Sequence, residues 1–230
     1  MKKIVAILFK YYFYRTIKGR YISVEDPLKG RFSKRQVHEV YKNIITIRDE
    51  IMECSDLSIY KSHGNRLLVY CGIISLAAYR ALKKKEISHS YATLLVTDTI
   101  WSLYIVSAKS LWKVSALFSQ RPQKRLNLVL GWLCIYPFNT DKKGYQYQII
   151  FKKDCLEMNF TQCAAHQFML SVASKEEMDF FKESWCLFDY ALPGYLIKGG
   201  HYERRHTLSS GDAVCDMKWY APPTKPNNKH

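Results

Sequence analysis

The sequence predicts an α+β protein, an N-terminal helical bundle packed with a small antiparallel sheet that brings short helices of its own. Three observations point there. Apolar residues recur at helical spacing through most of the first 140 residues. After Asn139-Thr140-Asp141 the pattern changes to short, β-rich, partly alternating runs. The dense polar and cysteine-bearing segments fall in this second part. With 230 residues, 48% of them hydrophobic, the chain is long enough to bury a core without disulfide or metal support. Residues 1–140 read as the helical region and 141–222 as the α+β region, integrated with it in one unit. Residues 223–230, rich in proline and asparagine, read as a flexible tail.

Each element has a local cause. Residues 2–18 carry Ile4, Val5, Ile7, Leu8, Tyr11, Tyr12 and Tyr14 on a broad apolar face interrupted by Lys10 and Arg15. Ser33 caps a helix over 34–54, with Val37, Val40, Tyr41, Ile44, Ile45, Ile47 and Ile51 recurring at helical spacing. After a turn at Ser62-His63-Gly64-Asn65, residues 66–85 are apolar almost all round and close on Lys83-Lys84-Lys85, cations suited to a helix C-terminus. Ser88 precedes the longest periodic stretch, 89–120, which Arg121-Pro122 breaks, and 125–136 adds a further short helix. Strands are expected over 145–151 and 155–162 around a Lys152-Lys153-Asp154 turn. Short helices follow over 164–172 and 175–190, the second ended by Leu192-Pro193-Gly194. A second strand pair, 202–208 and 213–220, is joined by Ser209-Ser210-Gly211-Asp212.

Charge divides the chain unevenly. Residues 1–125 hold 23 basic and 9 acidic side chains, whereas 126–230 hold 12 and 11. Solvated helix faces account for such an excess in the first instance. Nucleic-acid or membrane binding would need one contiguous basic face including Lys83–Lys85, Arg121, Lys124 and Arg125, and the aromatics lie at core spacing rather than between these cations. The first helix serves packing on the body or on a second copy, with a membrane surface ranked behind because its cations are poorly segregated. Neither apolar helical stretch is uninterrupted for about 20 residues, so no span is expected. Seven cysteines without a CxxC pair, and no secretory signal, place reduced thiols in a cytoplasm.

The candidates for chemistry lie late in the chain. Cys163 stands where a strand hands over to a helix, a position whose N–H groups and dipole lower a thiol pKa. Cys186 and Asp189, three residues apart on a helix, face the same way. In His206-Thr207-Leu208-Ser209-Ser210-Gly211-Asp212-Ala213-Val214-Cys215-Asp216, a glycine at positive φ would expose successive N–H groups as an anion nest. A zinc set from Cys163, His166, Cys186, His206 and Cys215 has no standard spacing, and no cofactor motif is present.

Taken together, NFTQC ending at Cys163, CLFDY with Cys186 and Asp189, and HTLSSGDAVCDMKW resemble the L-2-amino-thiazoline-4-carboxylic acid hydrolase family over roughly the last 75 residues. The chain differs from the family pattern at Ala164, Asp212 and Met217. The resemblance implies ring opening of a small sulfur heterocycle bearing a carboxylate. It casts Cys163, and second Cys215, as nucleophile, with Asp189 or Asp216 as acid or base and His206 as base or orienter. Cys186, Thr207, Gly211 and Asp212 would then line the substrate. The competing expectation is a non-catalytic small-molecule binder, or partner subunit, on the same scaffold.

Overall fold

The computed structural model describes residues 2–222, so the tail expected at 223–230 lies outside the described residues. The fold is α+β, with eight α-helices and one four-stranded antiparallel sheet among the described residues.

Five helices come first. α1 (Lys2–Ile17) turns Phe9, Phe13 and Ile17 fully inward and leaves Ile4, Ile7, Leu8 and Tyr11 exposed. α2 (Lys34–Glu53) begins at a capping box in which Ser33 and Gln36 each satisfy the other's backbone N–H. α3 (His63–Lys83) starts three residues before its apolar pattern does. Ser62 Oγ accepts from the N–H groups of Gly64 and Asn65, so the expected turn is already helix. It is buried on nearly every side and forms the axis of the bundle.

α4 (His89–Ser115) ends short of the expected 120, where the N–H groups of Leu117 and Phe118 tighten onto Val114 and Ser115. By length and a mean hydropathy of 1.2 it qualifies as a membrane span, which its interruption by Asp98 and Lys109 had argued against. Half of that window is buried inside the protein, as in a core helix. α5 (Pro122–Ile135) takes Pro122 into its first turn, where a missing N–H costs nothing, instead of starting after it.

The second part contributes β1 (Gln146–Phe151), β2 (Leu156–Gln162), α6 (Ala164–Val172), α7 (Lys175–Ser184), α8 (Phe188–Leu196), β3 (His201–Arg204) and β4 (Cys215–Tyr220). The sheet order β1-β2-β4-β3 sets the two expected strand pairs side by side. Leu156, Met158, Phe160, Tyr202, Met217 and Trp219 face the core. The other face carries Glu157 between Lys152 (2.7 Å) and Lys218 (3.4 Å).

Two expectations of this part are corrected. The helix over 175–190 is broken by a 3₁₀ turn at Trp185–Leu187, and Pro193 and Gly194 lie inside α8 rather than ending it. Pro193 gives up an N–H bond, but its carbonyl accepts from Ile197 (2.9 Å), while buried Leu192 and Leu196 anchor the helix. The strands of the last pair are shorter than expected, and residues 205–214 form a loop between them.

The two parts share one continuous hydrophobic cluster from Phe9 to Ala221. Polar ties reinforce it. Arg80 on α3 grips Glu177 on α7 through two bonds (2.6 and 3.0 Å), Tyr79 stacks on Phe180 (4.6 Å) and bonds Glu176 (2.9 Å), and Trp185 donates to Ser75 (3.2 Å).

Candidate functional site

Strand register gathers the candidate residues at one end of the sheet. Cys215 opens β4 opposite Phe160 of β2, and three residues later β2 hands over to α6 at Cys163. Arg204 closes β3 opposite Met217. α8 packs along β3 and brings Asp189 in its first turn, with Cys186 just before it. Segments distant in sequence thus meet, close enough for Cys163, Cys186 and Cys215 to sense one another's charge.

A chain of hydrogen bonds links two of the sulfurs. The Cys186 thiol donates to Ser209 Oγ (3.3 Å), Ser209 meets Thr207 Oγ1 (3.2 Å), and Thr207 meets Cys215 Sγ (3.4 Å). Leu208 N–H also donates to Cys215 Sγ (3.2 Å). Cys163 caps α6 and accepts from His166 N–H (3.5 Å), with the Tyr145 hydroxyl as a second partner.

Burial overrides the helix terminus at Cys163. Desolvation pushes its thiol up to about 12, against the lowering by His166 N–H, so the activation expected of a helix N-cap is not realised. Cys186 is likewise pushed up to about 11 by burial, opposed by Ser209 and Arg204. Both are protonated thiols at neutral pH.

Asp189 stands apart from the other candidate acids. Burial raises its carboxyl to about 6, and Arg204 opposes the rise. Its oxygens have no hydrogen bond and no ion pair among the described residues. Asp189, Cys163, Cys186 and Arg204 are each only half-buried, although desolvation is the largest influence on every one of them, raising Asp189 and the two thiols and opposing the net rise of Arg204. These groups are crowded by protein yet partly open to solvent.

Three residues here escaped the sequence reading. Arg204 is half-buried with its guanidinium over the rings of Tyr190 (5.2 Å) and Tyr202 (6.0 Å), and it senses Asp189 without lying within 4.0 Å of it. The buried Tyr202 hydroxyl has no hydrogen-bond partner among the described residues, and it too senses Asp189 and Cys215. Tyr104 on α4 senses Asp189 and stacks on Phe188 (5.9 Å), which also touches Trp101 (5.6 Å) and Trp185 (6.5 Å) to give an aromatic wall. The alternation Tyr202, Arg204 on a strand packed against a helix was the one available signal.

The loop 205–214 behaves differently from expectation. Gly211 has the anticipated positive φ of 93°, but the N–H groups of Ser210, Gly211 and Asp212 bond to carbonyls of Thr207 and Leu208. Further donors hold the protein's own groups. Asp212 accepts from Thr207 N–H (2.7 Å), and Asp216 accepts from Arg205 (2.9 Å) and His206 (2.6 Å) N–H. None of these N–H groups is left for a substrate anion.

Asp216 also pairs with His206 Nδ1 (3.0 Å). Desolvation raises its pKa, but the bonds from His206 and Arg205 outweigh it and hold the carboxyl at about 2. Strand alternation sets Asp216 on the face of β4 opposite Cys215, and His206 is exposed, so this pair staples the loop on the side away from Cys215.

His166 Nδ1 is buried without a partner, and its ring is held neutral by desolvation. Among the described residues no group of three or more His, Cys, Asp or Glu side chains is placed to hold a metal ion. Two surface clefts lie elsewhere, one beside Arg80 and Glu177 and one between α5 and Phe151. No family model, curated protein or solved structure matches the chain.

Proposed function

We propose that the protein opens a small sulfur heterocycle bearing a carboxylate, of the 2-aminothiazoline-4-carboxylate class, in the recess between α8, β3 and the loop 205–214. The observation that carries this reading is the convergence of three polar groups without hydrogen-bond partners among the described residues, Asp189, Arg204 and the Tyr202 hydroxyl, beside three thiols. Arg204 supplies unpaired donors for the substrate carboxylate, and the ring lies against the aromatic wall at Phe188.

Cys215 takes the nucleophile's place ahead of Cys163, because Leu208 N–H donates to its sulfur and Thr207 Oγ1 adjoins it, whereas burial keeps Cys163 a protonated thiol. Asp189 accepts the Cys215 proton as Sγ attacks the ring carbon between sulfur and nitrogen. The ring carbon–sulfur bond breaks, and Asp189 passes the proton to the departing sulfur. Water then attacks the same carbon, giving its proton to Asp189, and Cys215 leaves with that proton. The products are a free substrate thiol and a carbamoyl nitrogen, with one water consumed. A carboxyl with a pKa of about 6 suits both directions of transfer.

A second reading, a binder without catalysis, is favoured by the raised pKa of Cys163 and Cys186. Incubation with 2-aminothiazoline-4-carboxylate and related cyclic amidines separates the two. Thiol release that Cys215→Ala abolishes supports the hydrolase; binding without release supports the binder. Undiminished release by Cys215→Ala contradicts the mechanism.

A further inference from the structure

The tip formed by the end of α4, the following turn, α5 and the β1 edge carries an apolar surface that the recess does not use. Leu117 is 83% exposed, Ile135 73%, Phe118 62% and Phe151 55%. They are contiguous. Phe118 meets Trp132 edge-on (5.6 Å), Phe151 lies over the bare backbone of Gly131, and Leu128, Trp132 and Ile135 follow at helical spacing on one side of α5. Between them runs an apolar cleft of about 410 Å³, with Lys124 at its rim.

Charge selects the occupant. No aspartate or glutamate occurs between Asp98 and Asp141, while Lys109, Lys113, Arg121, Lys124 and Arg125 all fall in that interval. Lys113, Arg121 and Lys124 are exposed in the segments that form the apolar tip, while Lys109 lies further back over the Tyr195 ring (4.4 Å). Lys153 stands two residues from Phe151, and Lys152 between them is paired with Glu157 (2.7 Å). A second copy docking face to face would set these cations against one another, and the formal net charge of +15 opposes self-association further. An anionic bilayer satisfies both features at once, since its headgroups meet the lysines and arginines while Leu117, Phe118, Trp132 and Ile135 enter the acyl boundary.

We propose that this tip docks the protein on the surface of an anionic lipid bilayer. The proposal stands independently of the chemistry of the recess. The test is co-sedimentation of the full chain with vesicles of pure phosphatidylcholine and of an equimolar phosphatidylcholine–phosphatidylserine mixture, across a salt series. Binding to the mixed vesicles is expected, with far weaker binding to the neutral ones and a fall as salt rises.

The double variants Leu117→Ser/Phe118→Ser and Lys113→Glu/Lys124→Glu should each weaken vesicle binding by about tenfold or more with the melting temperature retained. Four results with these proteins overturn the proposal. They are no binding to the mixed vesicles, equal binding to neutral ones, undiminished binding by both variants, and a concentration-dependent dimer that the variants dissociate in place of vesicle binding. Loss of binding by Ile7→Ser/Tyr11→Ser alone would move docking to α1 and also overturn this assignment.

Discussion

Replacing Asp189 by asparagine tests the recess through stability before any ligand is known. In the folded protein burial raises this carboxyl from 3.8 to about 6, so the fold prefers the neutral acid. A rise of that size corresponds to about 3 kcal/mol at most, and partial exposure with relief by Arg204 reduces this to about 1–3 kcal/mol. The sign follows from linkage. Because the folded pKa is raised, the neutral carboxyl's contribution is complete below about pH 4 and is lost as pH rises through about 6. The wild type should therefore lose about 1–3 kcal/mol between pH 4 and pH 7.5 from this residue alone, and Asp189→Asn should not. Removing the charge leaves Arg204 without its nearby anion, which lowers the variant at neutral pH, so the comparison rests on the difference in slope rather than on either absolute value. Urea unfolding at several pH values, with equal m values, reads the difference directly. Stability curves that run parallel from pH 4 to 7.5 would refute the placement of Asp189 in a desolvated recess.

The other predictions have different signs and probes. Asp216→Asn should destabilise by about 1–2 kcal/mol at pH 7, because two backbone donors and His206 lose a charged acceptor, and the difference should vanish as pH falls from about 4 towards 2. Urea unfolding of the two proteins at pH 3 and 7 checks it. In alkylation followed by peptide mass spectrometry at pH 8, exposed Cys54 should react well before Cys163 and Cys186, whose thiols are protonated there; equal rates would contradict their burial. Arg80→Met should cost about 1–3 kcal/mol in thermal or urea unfolding, since it strands Glu177 between α3 and α7, and a neutral effect would show that this bridge does not tie the two parts.

Much of the fold is legible in the sequence, for local reasons. Ser33-x-x-Gln36 and Ser174-x-x-Glu177 are capping boxes that announce their helices, and Lys152-Lys153-Asp154 separates two alternating strands. Errors gather where tertiary contacts outweigh local preference. Pro193 breaks helices in isolation, yet Leu192 and Leu196 pack firmly enough to carry a helix through it. Cys163, Cys186, Asp189 and Cys215 are recognisable as a group from residue type and spacing, and strand register brings them together. Arg204 was not, because nothing local distinguishes an arginine at a strand end from a surface cation. The balance of effects on Cys163 was equally hidden, since a helix N-cap lowers a thiol pKa and burial raises it, and only the folded surroundings decide between them.

The central claim is that Arg204 anchors a substrate carboxylate in a small-molecule recess beside Asp189 and Tyr202. The most direct measurement is calorimetric titration of 2-aminothiazoline-4-carboxylate into the wild type and Arg204→Gln at neutral pH, with Cys215→Ala in both to prevent turnover. One-site binding to the parent is expected, with a loss of about tenfold or more in affinity in the arginine variant while that variant still unfolds cooperatively. Absence of binding to the parent, or equal affinity in the two proteins, would contradict it.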